Sequence, residues 1–435
     1  MRYDCIIIGG GASGLMAAVT AARAGKQVLV LEKRSKAGKK LAMTGNGRCN
    51  LTNLKQHPAF YHSRNQDFPL PVLDHFSSSQ VIAFFSELGL FTKNRDGYIY
   101  PHTEEAFVVA ELLEAELRRH GGKLKCSAAV SAIRKADDYF KVTVEDWQYE
   151  ASTVILATGS YAGFSETDEA GESADSWNYL AAAFGHHLIR PLPALVPLLS
   201  DDPLLPAIGT LRIDAACTLR IDAANLATER GNVQFTGKGI SGIPVFQLSA
   251  AAVRAIATGH RVEIRVNLLP DFEPAVLSQY LQQRSSRAPQ KTVSELLLGL
   301  VPKKMIAALK RRSALDGSRN GSTLTTADFD RLADTLLRFD ILIAGYAPAA
   351  QAQVLQGGID TREVFPMTLE SRLVQGLFFA GEALDVDAVC GGYNLHWAWS
   401  SGYVAGHLGN LQDTLYPLEQ LTINHDSDES DYQND

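Results

Sequence analysis

Short apolar runs at the N-terminal end of the chain alternate with glycines and with a helical, alanine-rich stretch. Cys5–Ile8 is wholly apolar and rich in isoleucine, as expected for a strand buried on both faces of a parallel sheet. Gly9, Gly11 and Gly14 follow it and lead into the helical stretch, after which a second apolar strand, QVLVLE, ends at Glu32. The pattern predicts a complete βαβ unit rather than an isolated glycine-rich turn.

Apolar strands return later in the chain, and each ends at glycine. Ser152–Gly163 reads STVILATGSYAG, a buried strand that ends in Ala-Thr-Gly, and the alternating apolar positions before it predict a small antiparallel ribbon. Near the C-terminus Leu377–Ala380 is again a short buried strand. Gly391 and Gly392 then precede a helix that we expect to begin near Tyr393.

The middle of the chain has a different pattern. Residues 191–270 are rich in proline and in short strand-like pieces, which predicts a compact antiparallel β domain, whereas 272–338 carry apolar residues at helical spacing. Within the β region Gly237–Gly242 is a second GxGxxG sequence. We favour a turn before a helix, with Pro244 near its first position, over a second nucleotide site, because the preceding strand is short and half polar.

The N-terminal pattern has a specific chemical meaning. In such a unit the first glycine makes the tight turn, the second admits a pyrophosphate and the third lets helix and strand pack closely, with the helix N-terminus facing the phosphates. Glu32, 18 residues after Gly14, would accept hydrogen bonds from the adenosine ribose hydroxyls. Because an acid there disfavours a 2′-phosphate, the pattern predicts FAD or NAD as the ligand rather than NADP.

Two further segments favour FAD. We expect the residues after Glu32, KRSKAGKKLAMTGNGRCNLTN, to form a second loop, and within it Gly45–Asn50 supplies backbone N–H groups and short side chains of the kind that follow a ribityl and pyrophosphate chain. Glu382 would hold a ribityl hydroxyl, and the helix after Gly392 would place its positive end against the flavin pyrimidine, where it stabilises the negative charge of reduced flavin. An enzyme that binds only NAD has no need of this second motif.

Five segments, spread from end to end of the chain, resemble the BaiN-like (YhiN) family of NAD(P)/FAD-dependent oxidoreductases. They are Ile7–Ala18, Ala37–Asn53, Ala157–Gly159, Phe235–Pro244 and Phe379–Gly406, and the sequences GNGRCNLTN and GGYN are the most specific. The resemblance implies an α/β fold with a Rossmann-type FAD-binding domain split between the chain ends, an inserted antiparallel β domain and a small helical domain. It also implies that conjugated C=C bonds are reduced, in small molecules or in a pyrimidine of ribosomal RNA.

These observations divide the chain into five predicted regions. Residues 1–190 are the first part of the FAD-binding domain, 191–270 the β-rich domain, 271–344 the helical domain and 345–415 the second part of the FAD-binding domain. Residues 416–435 are an acidic tail that we expect to be disordered, because its last ten positions hold five acids and no base.

The predicted cofactor-binding residues share a place in the glycine-rich turns, strand ends and loops described above. They are Gly9, Gly11, Ala12, Ser13, Gly14, Glu32, Lys33, Lys40, Thr44, Gly45, Asn46, Arg48, Cys49, Val130, Thr158, Gly159, Gly381, Glu382, Asp387, Gly392, Tyr393 and Asn394.

Two residues are candidates for supplying a proton to the substrate. Cys49 lies between Arg48 and Asn50, and an adjacent cation can lower the pKa of a thiol. The alternative is that Cys49 is a small buried residue lining the flavin, and that Arg48 holds either an anionic substrate or a phosphate of FAD. Tyr393 would pack on the flavin ring. Cys49 and Cys390 lack the short spacing of dithiol–flavin reductases, which disfavours a redox pair.

Composition narrows the class of protein, and the charge distribution adds one alternative. The 435 residues are 46% hydrophobic and carry a net charge of −7, which excludes collagen-like, mucin-like and wholly disordered chains. The segment 281–320 alone is +7, so the rest of the chain carries −14. Five bases in that segment would contact RNA phosphates, or would form a solvated helix face in a region poor in aromatic residues for base stacking. They are Lys303, Lys304, Lys310, Arg311 and Arg312.

Other residue types argue against several classes of site. The five cysteines are scattered and contain no CxxC pair, which disfavours a disulfide framework and predicts a cytoplasmic protein. No apolar run approaches 18 residues, so we expect no membrane-spanning helix. The eleven histidines are dispersed, and we predict no metal site.

Three functions follow from the sequence. The favoured one is a FAD-dependent oxidoreductase that reduces an activated C=C bond of a small molecule with NAD(P)H as the electron donor. The second is flavin-dependent reduction of a uridine in structured ribosomal RNA, which the basic segment motivates. The third is a FAD-binding sensor or scaffold without turnover, because no acid–base group stands out.

Overall fold

The computed structural model describes residues 2–164 and 178–410, and the predicted acidic tail lies outside the described residues. The N-terminal strands are β1 (Arg2–Ile8), β2 (Val28–Leu31), β3 (Thr52–Asn53), β4 (Tyr61–His62), β5 (Thr92–Arg95), β6 (Tyr98–Pro101), β7 (Lys123–Lys125), β8 (Val130–Lys135), β9 (Phe140–Val144) and β10 (Trp147–Leu156). The helices among them are α1 (Ala12–Arg23), α2 (Lys39–Gly47), α3 (Pro69–His75), α4 (Ser78–Glu87) and α5 (Ala106–Arg119).

The middle and C-terminal elements follow in the same order. The strands are β11 (Leu188–Ala194), β12 (Leu198–Leu199), β13 (Leu211–Ile221), β14 (Ala224–Thr236), β15 (Gly239–Ser241), β16 (Val262–Asn267), β17 (Phe339–Ile343), β18 (Gly345–Tyr346), β19 (Val354–Ile359), β20 (Leu377–Phe379) and β21 (Asp387–Ala388). The helices are α6 (Tyr179–Ala182), α7 (Leu205–Ile208), α8 (Ile243–Ala257), α9 (Pro274–Arg287), α10 (Val293–Leu297), α11 (Lys303–Ser313), α12 (Thr326–Leu337) and α13 (Tyr393–Gly406).

One seven-stranded sheet contains strands from both ends of the chain. Its order is β7–β2–β1–β10–β9–β8, and β20 pairs with β10 just beyond the end of the β9 pairing. Strands β7, β2, β1, β10 and β20 run parallel, whereas β8 and β9 form the predicted antiparallel ribbon. The carboxyl ends of β1, β2, β10 and β20 therefore meet at one edge, where open α/β sheets bind their ligands. The predicted Rossmann-type sheet is confirmed.

Helix α13 fixes the position of α1 by a very close crossing. A Cβ atom on Gly402 would lie 2.4 Å from the carbonyl oxygen of Ser13, and one on Gly406 would lie 2.7 Å from that of Ala17. Only glycine lets the two backbones approach to this distance. The C-terminal helix thus holds the first turn of α1 in place behind the carboxyl edge of the sheet.

The middle of the chain forms a second, antiparallel sheet with helices packed on it. Its order is β17–β16–β13–β14–β15–β12–β18, and α9 to α12 lie in the sequence between β16 and β17. Buried helix residues such as Leu309 and Leu332 share one hydrophobic core with strand residues such as Ile264. The predicted β and helical character of these segments is confirmed, and the exact domain boundaries stay a prediction.

The second GxGxxG sequence is a turn before a helix, as predicted. Strands β14 and β15 pair antiparallel across Gly237 and Lys238, and α8 begins at Ile243 with Pro244 in its first turn. Gly242 has φ +99°, and a Cβ there would lie 2.4 Å from the carbonyl oxygen of Asn232. Gly242 therefore allows α8 to start close to β14. The segment lacks the parallel βαβ geometry of a nucleotide site, because its strands pair antiparallel.

The expectation of one continuous loop after Glu32 is wrong. Residues Lys39–Gly47 form α2, but the helix is interrupted at Thr44, whose ψ of 145° is extended. Gly45 and Asn46 follow with φ of 58° and 55°, in the left-handed region. The glycine content of this segment concealed the helix, because the helix-favouring residues KKLAM occupy only its first half.

We expect the Asp328→Ala variant to unfold about 0.5–2 kcal/mol more readily than the wild type near neutral pH, because it removes the side-chain acceptor of the capping box at the start of α12. Asp328 is buried and accepts hydrogen bonds from the backbone N–H (2.9 Å) and hydroxyl (3.0 Å) of Thr325 at the start of α12. These bonds lower the pKa of Asp328 from 3.8 to about 2.

Since the pKa is lower in the folded state, the stabilisation is present above about pH 4 and is lost as the pH falls through 2. Urea unfolding at several pH values measures this directly. The control is Asp334→Ala, which removes only an exposed ion pair with Arg338 on the same helix. Equal effects of the two substitutions at pH 7 would contradict the prediction.

Candidate cofactor and active site

The turn between β1 and α1 is shaped for an anionic group. A Cβ on Gly9, which has φ +106°, would lie 2.2 Å from the carbonyl oxygen of Ala157, and one on Gly14 would lie 1.9 Å from that of Gly9. Gly11 is the N-cap of α1, and no side chain in the described part of the chain caps the helix. A Cβ on Gly11 would meet no described atom within 4 Å. An uncapped helix N-terminus beside open space fits a pyrophosphate.

Glu32 ends β2 beside this turn, and its carboxylate is oriented by two backbone groups. Its Oε2 accepts from the N–H of Gly10 (2.6 Å), and its Oε1 accepts from the N–H of Arg34 (2.8 Å). The residue is buried. Because each carboxylate oxygen has a further lone pair, Glu32 can still accept from ribose hydroxyls.

Arg34 belongs to the same region and was missed by the sequence prediction. It is buried, its guanidinium lies 3.6 Å from the ring centroid of Phe164, and its Nη1 has no hydrogen-bond partner among the described residues. Its backbone carbonyl accepts from Ser127, so the segment leading to Val130 runs alongside. A buried, unpaired guanidinium nitrogen next to Glu32 fits an oxygen-rich ligand. The only sequence signal was a cation two residues after the acid.

Lys40 and Glu382, both predicted to bind the cofactor, form an ion pair across 342 positions of sequence. Lys40 Nζ lies 2.6 Å from Glu382 Oε2 and 3.2 Å from the hydroxyl of Ser160, which in turn donates to Glu382 Oε1 at 3.2 Å. Next to it, a Cβ on Gly381 would lie 2.4 Å from the hydroxyl oxygen of Ser13. The ends of β10 and β20 and the starts of α1 and α2 therefore meet here.

The loop after α2 lies against the N-terminus of α13. Gly392 is the N-cap of α13 with φ +94°, and a Cβ there would lie 2.9 Å from Asn50 Oδ1. That oxygen is buried and has no partner among the described residues. No described side chain caps α13. An orphaned acceptor beside uncapped helix N–H groups fits the pyrimidine edge of a flavin, which carries both a donor and acceptors.

Cys49 is buried, as the second of the two alternatives given for it expects. The residue is fully buried with φ +56°, and burial raises its pKa to about 12. Arg48 does not offset this rise, because its exposed side chain turns back to donate to the carbonyl of Gly45 (3.2 Å). Burial therefore favours the neutral thiol, and the place of Cys49 beside the flavin stays a prediction.

Tyr393 is packed among aromatic rings. Its ring centroid lies 4.9 Å from that of Phe60 and 6.0 Å from that of Tyr61, and its hydroxyl donates to the carbonyl of Lys55 (2.9 Å). Burial raises the pKa of Tyr393 to about 12. The hydroxyl is thus committed to the backbone and is poorly placed to donate to a substrate.

Several other predicted residues have protein partners. Asn394 bonds to the N–H (2.9 Å) and carbonyl (2.8 Å) of Ala388, and Asp387 contacts His62 Nδ1 at 3.1 Å. Thr158 donates to Asn178 (2.7 Å). These side chains brace the loops around the site, and their binding of a cofactor stays a prediction.

Almost the whole described chain matches one protein family. Residues 3–408 match the family described as HI0933-like protein Rossmann domain. The chain belongs to this family. Like the sheet itself, the match runs from the first strand to the end of α13 and so includes both ends of the chain.

Curated relatives of this HI0933-like protein agree with the match. A "3-dehydro-bile acid delta(4,6)-reductase" from Clostridium scindens is 40% identical over 92% of this chain and 97% of its own length. A "ribosomal RNA dihydrouridine synthase" from Escherichia coli is 30% identical over 92% of this chain and 96% of its own length, and one from Haemophilus influenzae is 29% identical over 92% and 96%. The HI0933-like protein is thus an oxidoreductase with a FAD-binding fold.

No group of three or more His, Cys, Asp or Glu residues within 2–164 and 178–410 is placed to hold a metal ion. None of the helices described for this HI0933-like protein has both the length and the hydropathy that crossing a bilayer requires.

Proposed function

We propose that this protein is a FAD-dependent reductase that saturates a C=C bond conjugated to a carbonyl group in a small organic molecule, with NAD(P)H as the electron donor. The observation that carries the proposal is the bile-acid reductase, which is 40% identical over nearly the whole of both chains. Its name specifies reduction of C=C bonds in an oxidised bile acid.

The geometry of the site supports a specific arrangement of the cofactor. The adenosine ribose would bind Glu32 and Arg34, and the pyrophosphate would lie at the uncapped N-terminus of α1. The ribityl chain would pass Lys40 and Glu382. The isoalloxazine would then reach Asn50 and the N-terminus of α13, where the helix dipole stabilises the reduced ring.

Bound FAD supplies hydride transfer, so this chain has to orient the substrate, exclude water and deliver a proton. NAD(P)H as donor is part of the proposal because reduction of a C=C bond consumes two electrons, and pyridine nucleotides are common two-electron donors to flavins.

Reduction of a uridine in ribosomal RNA is the second candidate, supported by the two dihydrouridine synthases. The basic residues in and beside helix α11 give the RNA candidate little support. Lys304 donates to the carbonyl of Thr210 (3.0 Å), Lys310 to Ser294 (3.1 Å), and Arg312 pairs with Asp202 (2.5 Å). Three of the five predicted RNA contacts are therefore used within the protein, which weakens the phosphate-binding face.

The test is an anaerobic stopped-flow experiment on the FAD-loaded protein. We expect NADH or NADPH to bleach the flavin absorbance, and androst-4-ene-3,17-dione to restore it, while the saturated analogue androstane-3,17-dione does not. A uridine-containing ribosomal RNA transcript is the alternative oxidant. Restoration by the transcript and not by the enone would overturn the small-molecule proposal. Failure of every oxidant would favour a sensor without turnover.

A further inference from the structure

Two consecutive glycines lead into the helix end that we assign to the isoalloxazine. Gly391 and Gly392 have φ of +132° and +94°, and Gly392 is the N-cap of α13. Because glycine has the widest choice of backbone conformations of any residue, a Gly-Gly pair does not hold its own shape. The direction of the first N–H groups of α13 therefore depends on the contacts that other segments make with this loop.

The N-terminal part of the chain holds one side of the loop. Asn53, which is buried on β3, donates from Nδ2 to the carbonyl of Gly391 (3.1 Å). A Cβ on Gly392 would lie 2.9 Å from Asn50 Oδ1, so the backbone of Gly392 packs directly on that side chain. These contacts hold the two glycines from the side of β3.

Helix α8, which shares a hydrophobic core with the second sheet, holds the other side through Gln247. The N–H of Cys390 donates to Gln247 Oε1 (2.7 Å), and Gln247 Nε2 donates to the carbonyl of Cys390 (3.4 Å). One side-chain amide thus pairs with both peptide groups of the residue before the glycines. Because a peptide N–H can only donate and a peptide carbonyl can only accept, the amide has a single orientation in this pairing.

The part of α8 around Gln247 is itself fixed in place. Phe246 and Cys390 pack against one small apolar cluster at strands β11 and β19. Ser249, two residues after Gln247, is buried and accepts from the N–H of Val196 (3.2 Å). Helix α8 therefore presents the Gln247 amide to the loop from a well-anchored position.

We propose that Gln247 is a positioning residue that sets the direction of the α13 N-terminus against the isoalloxazine. The inference rests on the proposed function, which puts the flavin pyrimidine at this helix end. The dipole of a helix acts within its first turn, so the direction of that turn decides how well it stabilises a nearby negative charge. Because reduced flavin carries this charge and oxidised flavin does not, Gln247 favours binding of the reduced form. The second sheet thereby acts on the cofactor through the backbone of Cys390.

The test measures the redox potential of FAD bound to the Gln247→Met variant, which removes both hydrogen bonds and keeps a side chain of similar length. We expect reduced FAD to bind about tenfold less tightly relative to oxidised FAD, which lowers the two-electron potential by about 30 mV. The Gln247→Glu variant keeps the acceptor for the Cys390 N–H but faces the Cys390 carbonyl with a second acceptor and adds a negative charge. Its potential should fall at least as far.

The matched control is Ser249→Ala, which removes the bond from α8 to Val196 and leaves the Cys390 loop untouched. Urea unfolding should show that Ser249→Ala and Gln247→Met both lose stability, whereas only the Gln247 variants change the potential. An equal change of potential in Ser249→Ala would overturn the inference, because any loosening of α8 would then have the same effect. If Gln247→Met does not fold, Gln247→Glu decides the question.

Failure of this inference is distinguishable from failure of the proposed function. If androst-4-ene-3,17-dione reoxidises the wild-type flavin and both Gln247 variants keep the wild-type potential, only the role of Gln247 is overturned. If the enone does not reoxidise the flavin but the potential falls in both Gln247 variants, the role of Gln247 stands and the proposed substrate class is wrong. A purified wild-type protein that binds no FAD would overturn both.

Discussion

The Glu32→Ala variant should lose FAD on purification, with a dissociation constant at least about 100-fold higher than that of the wild type. Two effects add. The variant removes the acceptors for the ribose hydroxyls, and it leaves the N–H groups of Gly10 and Arg34 without their carboxylate partner. A hydrogen bond to a charged group contributes about 1.5–3 kcal/mol, so loss of the ribose contacts is enough for a 100-fold change, which corresponds to about 2.7 kcal/mol.

Flavin fluorescence during titration of the apoprotein measures this dissociation constant. Asp271→Ala is a suitable control, because Asp271 is exposed and pairs with Arg230 on β14 of the second sheet. If the Glu32→Ala variant bound FAD with wild-type affinity, our assignment of the adenosine end to Glu32 would be wrong.

The Gly402→Ala variant should lower the free energy of unfolding by about 2–3 kcal/mol. Alanine is favoured over glycine within a helix by about 1 kcal/mol, so propensity alone predicts the opposite sign. The added Cβ would lie 2.4 Å from the carbonyl oxygen of Ser13 and 3.0 Å from the Cβ of Met16, and neither the backbone nor a branching carbon can turn away. Overpacking of this kind typically costs about 1–3 kcal/mol and sometimes more.

Because α1 must move to relieve the contact, FAD affinity should fall together with stability. Urea unfolding with and without FAD measures both. Gly345→Ala, where a Cβ would meet no described atom within 4 Å, is the matched control and should be nearly neutral. A Gly402→Ala variant as stable as this control would contradict the close α1–α13 crossing.

Local patterns predicted the elements that position the site. The apolar run before Gly9, the acid at Glu32 and the helix after Gly392 all depend on sequence neighbours, and all lie where expected. Pro244 likewise marked the first turn of α8. In each case the residues that predict the element lie within a few positions of it, so the prediction does not depend on how distant parts of the chain come together.

Contacts between distant segments were not predictable in the same way. The Lys40–Glu382 pair and the His62–Asp387 contact join residues more than 300 positions apart, and they depend on which strand ends meet. The direction of a side chain is equally hidden. One alternative had Arg48 acting on the neighbouring thiol, but its side chain turns back to donate to the carbonyl of Gly45.

The net charge of the basic segment 281–320 shows a related limit of prediction from composition. It predicted a cationic helix correctly, but it could not show that Lys304, Lys310 and Arg312 bond to the protein itself. Only the packing of α11 on the second sheet decides which of its cations remain available to a partner.

The crystal structure of the FAD-bound protein tests the central claim most directly. The account predicts adenosine ribose hydroxyls within hydrogen-bond distance of Glu32, pyrophosphate at the first turn of α1, and the isoalloxazine between Asn50 and the N-terminus of α13. A flavin bound elsewhere, or one that contacts residues from only one end of the chain, would contradict it.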